Sequence, residues 1–511
     1  MLRYAVLAVF HASLWSSTWS HPTELNTRSL QYKVCLQIKR EISSASDVYF
    51  AGDPLYVKGV EHWATSSSDV AECVVEPGTT ADLGIILGIL GETRTPFAVK
   101  GGGHASNPGF SSTTGVQIAM SRFSEVTYNA QSQTAVIGAG LIWDDVYAAL
   151  APYNVNVVGG RVTGVGVAGF TLGGGYSWLT NQHGLTIDTV VAFELVQTDG
   201  TAITVTETSD PDLFLSLKGG LNNFGIVTRF TLKTFPQGQV WGGVILFSSV
   251  VLDDVNAACE QFASTVSDPK ASIITTYNFA SGDISVLQIL FYDGPYPPAG
   301  IFDDFLAIPF LTKDVETRDF LSLVQSSPAN ATAGQRQVSF PNHRDVSILI
   351  YSCRGIFDTV PLLEVTPTIL DAIVNETRYW GSRLSSLDSG TLASYAVEPF
   401  LPSILSHTTL ASAYPPTRTT AFLPLNLYYA WLLPSFDNDS QDAARESVRY
   451  LTEVALAEGQ TGVDTAALYP NYAIYDVPVS RLYGSNVATM QAVKARVDPS
   501  NVMGLAGGFK I

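Results

Sequence analysis

Eight glycines stand in the 17 residues of segment 159–175, in the order G-G-R-V-T-G-V-G-V-A-G-F-T-L-G-G-G. A glycine inside a helix or strand costs backbone entropy that no side chain recovers, so no long regular element can run through this tract. It holds a formal G-x-G-x-x-G at Gly164, Gly166 and Gly169, with Asp188 nineteen residues beyond. That fingerprint binds a dinucleotide only where it opens a helix. Gly173, Gly174 and Gly175 fall where the helix would run, which argues against a Rossmann site. A backbone wrapped closely around a large, flat, phosphate-bearing ligand suits the tract better, and the interleaved Val, Phe and Leu argue against a linker.

A second glycine run lies upstream, in the V-K-G-G-G-H-A-S-N-P of 99–108. Three successive glycines let the backbone take positive φ and press N–H groups against an anion, and His104 follows at once. The flanking pattern predicts a strand over 71–75, a helix over 83–90 opened by Thr79-Thr80-Ala81-Asp82 and stopped at Gly91, and a strand over 96–99. This order delivers the loop at a strand end, where open α/β layers hold ligands. Strands over 116–120 and within 125–137, a helix over 142–150, and a hairpin of 188–198 with 202–207 about Asp199-Gly200 complete this half.

At 511 residues the chain is too long for one core, and 46% apolar against 14% charged residues describes packed globular domains. Twenty-eight basic and 46 acidic side chains leave a net charge of −18, which repels phosphate backbones and anionic lipid surfaces, so neither nucleic acid nor membrane is an expected partner. Residues 1–20 read as a secretory signal peptide, with Arg3, an apolar run over 4–10, and small and aromatic residues to Ser20; no later run is long enough to cross a bilayer. An oxidising compartment favours disulfides. Cys35 and Cys73 flank the first segment of the mature chain and are expected to pair, while Cys259 and Cys353 are left open. Sequons at Asn330, Asn375 and Asn438 suit the same compartment. After Pro236 the composition changes. Residues 240–465 alternate β-rich runs, such as 287–291 and 421–433, with helical ones, which reads as a second, antiparallel α+β domain. From about 466 onward, short turn-rich pieces return, among them 469–473 and 498–502.

Three blocks together resemble the FAD-linked oxidases of the vanillyl-alcohol oxidase superfamily, most closely the fungal berberine-bridge-enzyme-like branch. They are Gly101 to His104, the glycine tract through Gly175 with Tyr176, and Lys218-Gly219-Gly220 leading to Asn223-Phe224-Gly225-Ile226-Val227. Asn471-Tyr472-Ala473, Tyr483-Gly484 and Asp498-Pro499 continue the match. The resemblance implies an α+β fold: a PCMH-type FAD-binding domain of two subdomains over 21–237, an antiparallel-sheet substrate domain over 238–465, and a tail over 466–511 that returns to complete the FAD site. It implies covalent attachment of FAD through His104. Lys100, Gly101, Gly102, Gly103, Ala105 and Ser106 would contribute to the cradle, with Gly160, Thr163, Gly166, Gly169 and Gly174 of the tract, and with Ile226, Val227 and Asn471. Relatives carrying a second link use a cysteine in the glycine tract. Val162 stands at that position here and valine forms no thioether, so a single link is expected.

Tyr472 matches a tyrosine that serves as base in several relatives. A phenol of ordinary pKa, about 10, needs a nearby charge or hydrogen bond to act at neutral pH, and Glu398 and Tyr428 are the candidates to help it. The resemblance thus implies a secreted, monomeric, metal-free oxidase of secondary metabolism. It would take a hydride from a small organic substrate and pass the electrons to O2, giving H2O2. A carbohydrate oxidase is the runner-up, with the missing cysteine against it. A flavin-holding protein without turnover is the alternative of another class.

Overall fold

The structure, a computed structural model, describes residues 22–328 and 353–511; residues 1–20, read from the sequence as a signal peptide, and the sequon at Asn330 lie outside them. Its first half is built on two sheets. In the first, the strands lie in the order Asp47–Tyr49, Cys73–Glu76, Val116–Ala119, Phe97–Lys100, the last three parallel. The helix Thr80–Thr93 makes the crossover that parallel pairing demands. Thr79 caps it, its hydroxyl accepting the Asp82 N–H at 3.0 Å. The helix does not stop at Gly91 but runs on to Thr93 and closes on Arg94 at φ +53°. Gly91 is used for packing: a Cβ there would stand 3.0 Å from the Val502 side chain, so the glycine lets the C-terminal segment approach. The helix Pro22–Glu41 is tied to this sheet by a Cys35–Cys73 disulfide, as expected.

The second sheet is antiparallel, in the order Val126–Asn129, Thr134–Gly138, Ile226–Lys233, Val190–Val196, Ala202–Val205. Its last two strands form the hairpin expected around Asp199-Gly200. Asp188, the acid of the formal dinucleotide fingerprint, is committed elsewhere: its carboxylate pairs with Arg418 and accepts the Leu185 N–H at 3.0 Å. A helix does open after Gly166, contrary to the simple reading of the tract, but it spans only Val167–Leu172 before Gly173 ends it.

The second half carries a seven-stranded antiparallel sheet, in the order Thr312–Arg318, Val240–Ser248, Asp283–Tyr292, Ala271–Ala280, Gly390–Val397, Leu423–Trp431, Arg354–Leu362. All nine residues of Leu423–Trp431 are buried, because both faces of the sheet are covered. Tyr429 turns to the helix side, where its hydroxyl bonds Tyr395, itself 2.7 Å from Ser447 of the helix Asp437–Ala457. Tyr428, one residue earlier, turns to the first half and leans on Trp63.

The C-terminal segment comes back to the first half. Ala506 bridges to Phe97, and Asn222 and Asn223 donate to the carbonyls of Gly507 and Phe509 at 3.2 and 3.0 Å. It is less turn-rich than its composition implied, since an 11-residue helix, Val487–Val497, stands between the expected loops. Cys259 is a buried thiol beneath the Thr275 hydroxyl, so it forms no disulfide with Cys353. Among the described residues no helix is long and apolar enough to cross a membrane.

Candidate active site

The strand Phe97–Lys100 ends where Gly101 to Gly103 meet the glycine tract. A Cβ on Gly102 would lie 2.5 Å from the Gly166 Cα and 2.7 Å from its nitrogen, so the two backbones touch as only glycines allow. Gly103, at φ +73°, turns the chain so that its carbonyl accepts the Trp63 N–H at 2.9 Å. His104 follows, itself partly buried, with its Nε2 enclosed. Its ring stacks on Trp63, centroids 4.6 Å apart and planes 17° off parallel, and among the described residues its Nε2 has no hydrogen-bond partner. Burial pulls the imidazole down to about 4, so it is neutral across the physiological range.

The rest of this loop staples the two halves together. Ser106 Oγ accepts the Phe357 N–H at 3.2 Å from the edge strand of the large sheet, and Ala105 offers its carbonyl to Ser67 Oγ at 2.6 Å. Asn107 donates to the Ala473 carbonyl at 2.9 Å, which joins the His104 loop to the segment carrying Tyr472. The Lys100 side chain runs past Gly103, where a Cβ would stand 2.8 Å from its Cε, and its ammonium donates to the Lys58 carbonyl at 2.7 Å; burial lowers it to about 8. Ile226 and Val227 pair with Val196 and Leu195 in the second sheet, and it is the next residue, Thr228, that reaches toward the loop, its carbonyl accepting the N–H of Ala139, whose own carbonyl faces Gly101.

Tyr472 and Glu398 do meet, and with them a residue that the sequence reading passed over. Arg161 donates to Glu398 at 2.6 Å and to the Tyr472 hydroxyl at 2.9 Å, while that hydroxyl donates to Glu398 at 3.0 Å. Burial raises the Glu398 carboxyl, and the Arg161 charge pulls back part of the shift. Burial and then the Glu398 charge carry Tyr472 well above the ordinary tyrosine range, outweighing Arg161. Arg161 is itself held more firmly protonated, because Glu398 and Tyr472 outweigh the desolvation that opposes its charge. Tyr472 is therefore a neutral hydroxyl with an acceptor behind it, and no phenolate. Arg161 is the sole charge in the 17-residue tract, and a lone charge among glycines was the signal that could have found it. Tyr428 is not part of the triad; its hydroxyl is buried against Gly355, without a partner among the described residues.

The other tract residues hold the frame. Thr163 donates to Asp144 at 2.6 Å, and Gly160 gives its carbonyl to Tyr147 at 2.7 Å. Gly173 and Gly174 make room for Asn471 and for Tyr414 and Tyr469, so part of the glycine content serves close packing of the returning tail and not a ligand. Asn471 donates to the Phe170 carbonyl at 3.1 Å. Gly169 faces open space.

Residues 71–206 match the family model described as an FAD binding domain. An FAD-linked oxidoreductase of Arthroderma benhamiae is 39% identical over 54% of this chain, and the match spans about half of that protein's length, 56%. The FAD-dependent monooxygenase drtC of Aspergillus calidoustus is 29% identical over 93% of this chain and 90% of its own. Among solved structures, 6-hydroxy-D-nicotine oxidase from Arthrobacter nicotinovorans superposes with a TM-score of 0.71 at 18% identity, covering 90% of this chain and 96% of that one. Chitooligosaccharide oxidase gives 0.71 at 18%, covering 94% and 100%. The residues present fit FAD: a buried imidazole nitrogen left without a partner stands beside a cradle in which a Cβ on Gly102 would strike the Gly166 backbone. Residues 71–206 thus form an FAD binding domain, the chain is similar over most of its length to FAD-dependent oxidoreductases, and its fold is that of berberine bridge enzyme, on which it superposes with a TM-score of 0.70 at 16% identity, covering 92% of this chain and 97% of that one.

Proposed function

We propose that the chain is a secreted oxidase that takes a hydride from a small organic substrate of secondary metabolism, with FAD held covalently through His104 alone. When bound, the isoalloxazine supplies the hydride acceptor and the route for electrons to O2, with H2O2 as product. The observation that carries the reading is the Tyr472 hydroxyl set between Glu398 and Arg161. A tyrosine this far above its ordinary pKa cannot wait as a phenolate. It can accept a substrate proton at its oxygen in the same motion that passes its own proton to Glu398 Oε1, 3.0 Å away. Arg161 pulls the Glu398 carboxyl back, against the raising effect of burial, toward the ionised form that can receive the proton, and itself stays charged because a guanidinium does not deprotonate. Trp63, Phe357 and Tyr428 form an aromatic wall beside the triad, with Phe357 6.2 Å from the Tyr472 ring, which keeps water from the proton path. Val162, beside Arg161, offers no sulfur for a second link. The exposed Asn375 and Asn438 are in keeping with glycosylation on a secretory route.

Several curated relatives are named FAD-dependent monooxygenases. An oxidase releases one H2O2 per substrate and leaves no atom of O2 in the product, whereas a monooxygenase inserts one, so labelled dioxygen separates the two. Screening alcohols, amines and sugars for H2O2 release identifies the substrate and tests the carbohydrate-oxidase reading. With that substrate, Tyr472→Phe should leave binding nearly unchanged and slow anaerobic flavin reduction by roughly two to four orders of magnitude. A near wild-type reduction rate would move the base elsewhere.

A further inference from the structure

We propose that Trp63 is the residue that sets the plane of the His104 ring for covalent attachment of FAD, an inference that rests on the covalent reading above. A functional histidine is ordinarily oriented by a hydrogen bond to its second ring nitrogen. Among the described residues His104 has no such partner from elsewhere: Nε2 has none, and the ring's hydrogen bond is to its own backbone. The indole of Trp63 takes over that task. It lies nearly parallel to the imidazole at 4.6 Å, and a ring so stacked can slide or turn little without losing contact area.

The indole is itself fixed from two sides. Its backbone N–H donates to Gly103, the residue before His104, at 2.9 Å. The residues that follow are stitched to the edge strand of the large sheet: Thr65 donates to the Cys353 carbonyl at 3.1 Å, and Ser66 Oγ both donates to the Gly355 carbonyl and accepts its N–H, at 2.8 and 2.9 Å. From the same strand Phe357 lies parallel to the indole at 5.4 Å, and Tyr428 leans on it at 4.9 Å. The plane of His104 is thus referenced to the second half of the molecule, so attachment would proceed only once both halves are docked. Trp63 Nε1 is buried without a partner among the described residues, a cost that the stack tolerates to keep an indole in this place.

In attachment, a bond forms between an imidazole nitrogen and the flavin 8α carbon while a C–H bond at that carbon breaks. The C–H and N–H hydrogens leave as protons, and two electrons pass to the isoalloxazine and on to dioxygen. Such a reaction needs a neutral imidazole, which burial ensures, and an approach angle, which stacking ensures.

The full-length chain is prepared from flavin-limited cells and given FAD, and two quantities are followed in time: flavin bound to the native protein, and flavin retained after acid denaturation. Wild type is expected to convert bound into retained flavin. Trp63→Leu should bind FAD yet convert it about 10- to 100-fold more slowly, and Trp63→Phe, which keeps a flat ring, should recover most of the rate. Conversion by Trp63→Leu at the wild-type rate overturns the proposal. So does failure of Trp63→Phe to improve on Trp63→Leu, since that pattern marks a merely structural tryptophan. Should Trp63→Leu take up no FAD, Phe357→Leu, which removes only the support behind the indole, is expected to slow conversion several-fold, and an unchanged rate there counts equally against it. His104→Ala separates the two layers of argument: wild type that retains no more flavin than this variant removes the covalent reading and the proposal together, whereas wild type that retains flavin while Trp63→Leu does so just as fast removes the proposal alone.

Discussion

The Arg161–Glu398 pair supplies a test in which its two halves should behave differently. Both side chains are buried, at 8% and 3% exposure, and their closest atoms are 2.6 Å apart. Removing one member of such a pair strands the other charge, at about 3–5 kcal/mol. Glu398→Gln strands a guanidinium, which has no means of becoming neutral, so the full cost should apply at every pH from 5 to 8. Arg161→Met strands a carboxylate, which can take up a proton. Burial already raises Glu398, and Arg161 is the main influence pulling it back, so in this variant its folded pKa moves up further. A carboxyl raised above its unfolded value, about 4.3, contributes stability that is whole below that value and is lost as pH rises toward the folded pKa, at up to about 1.4 kcal/mol per pH unit. Arg161→Met should therefore be nearly harmless at pH 5 and approach the cost of Glu398→Gln by pH 8. The double variant, with no charge left, should be more stable than Glu398→Gln alone. Urea midpoints at pH 5, 6.5 and 8, at equal flavin occupancy, measure all three. A pH-independent cost for Arg161→Met, or a cost below about 1 kcal/mol for Glu398→Gln, would mean that the pair is solvated and cannot serve as a closed proton path.

What the sequence revealed divides by distance along the chain. The strands about the His104 loop, the Asp199-Gly200 hairpin and the alternating pattern of the large sheet are written locally, in turn residues and short apolar runs, and they fold where those signals lie. Tyr472 is reached through motif resemblance, whereas Glu398 stands only as one of two candidates from the middle domain, with Tyr428. Arg161 is not reached, because its partners lie 237 and 311 residues away and nothing in R-V-T-G says that the charge turns inward. Asp188 shows the opposite error that local reading invites. Its spacing offered a ribose ligand, but a residue 230 positions on, Arg418, claims it. The helix that passes Gly91 and the stack on Trp63 belong to the same class: a glycine or an indole whose purpose is set by a neighbour that arrives only on folding.

The remaining predictions probe the cradle and the clasp behind Tyr472. Gly102→Ala must push its loop off Gly166 and should cost about 1–3 kcal/mol with loss of bound flavin, whereas Gly169→Ala, whose Cβ meets nothing within 4 Å, should keep its melting temperature; equal effects in the two would refute the backbone contact as the reason for Gly102. Asp358 holds the other side of the Tyr472 segment, accepting the N–H groups of Thr359 and Ile474, and burial raises it to about 7. Its contribution to stability is whole below the unfolded aspartate pKa, about 3.9, and is lost as pH climbs through about 7. Asp358→Asn keeps an acceptor for both N–H groups but has no proton to lose, so it should gain on wild type steadily from pH 4 to 7 and hold that gain above. A difference between the two proteins that does not change across that window would show that the carboxyl is already ionised at pH 4, with its two backbone donors, and not its burial, deciding its charge.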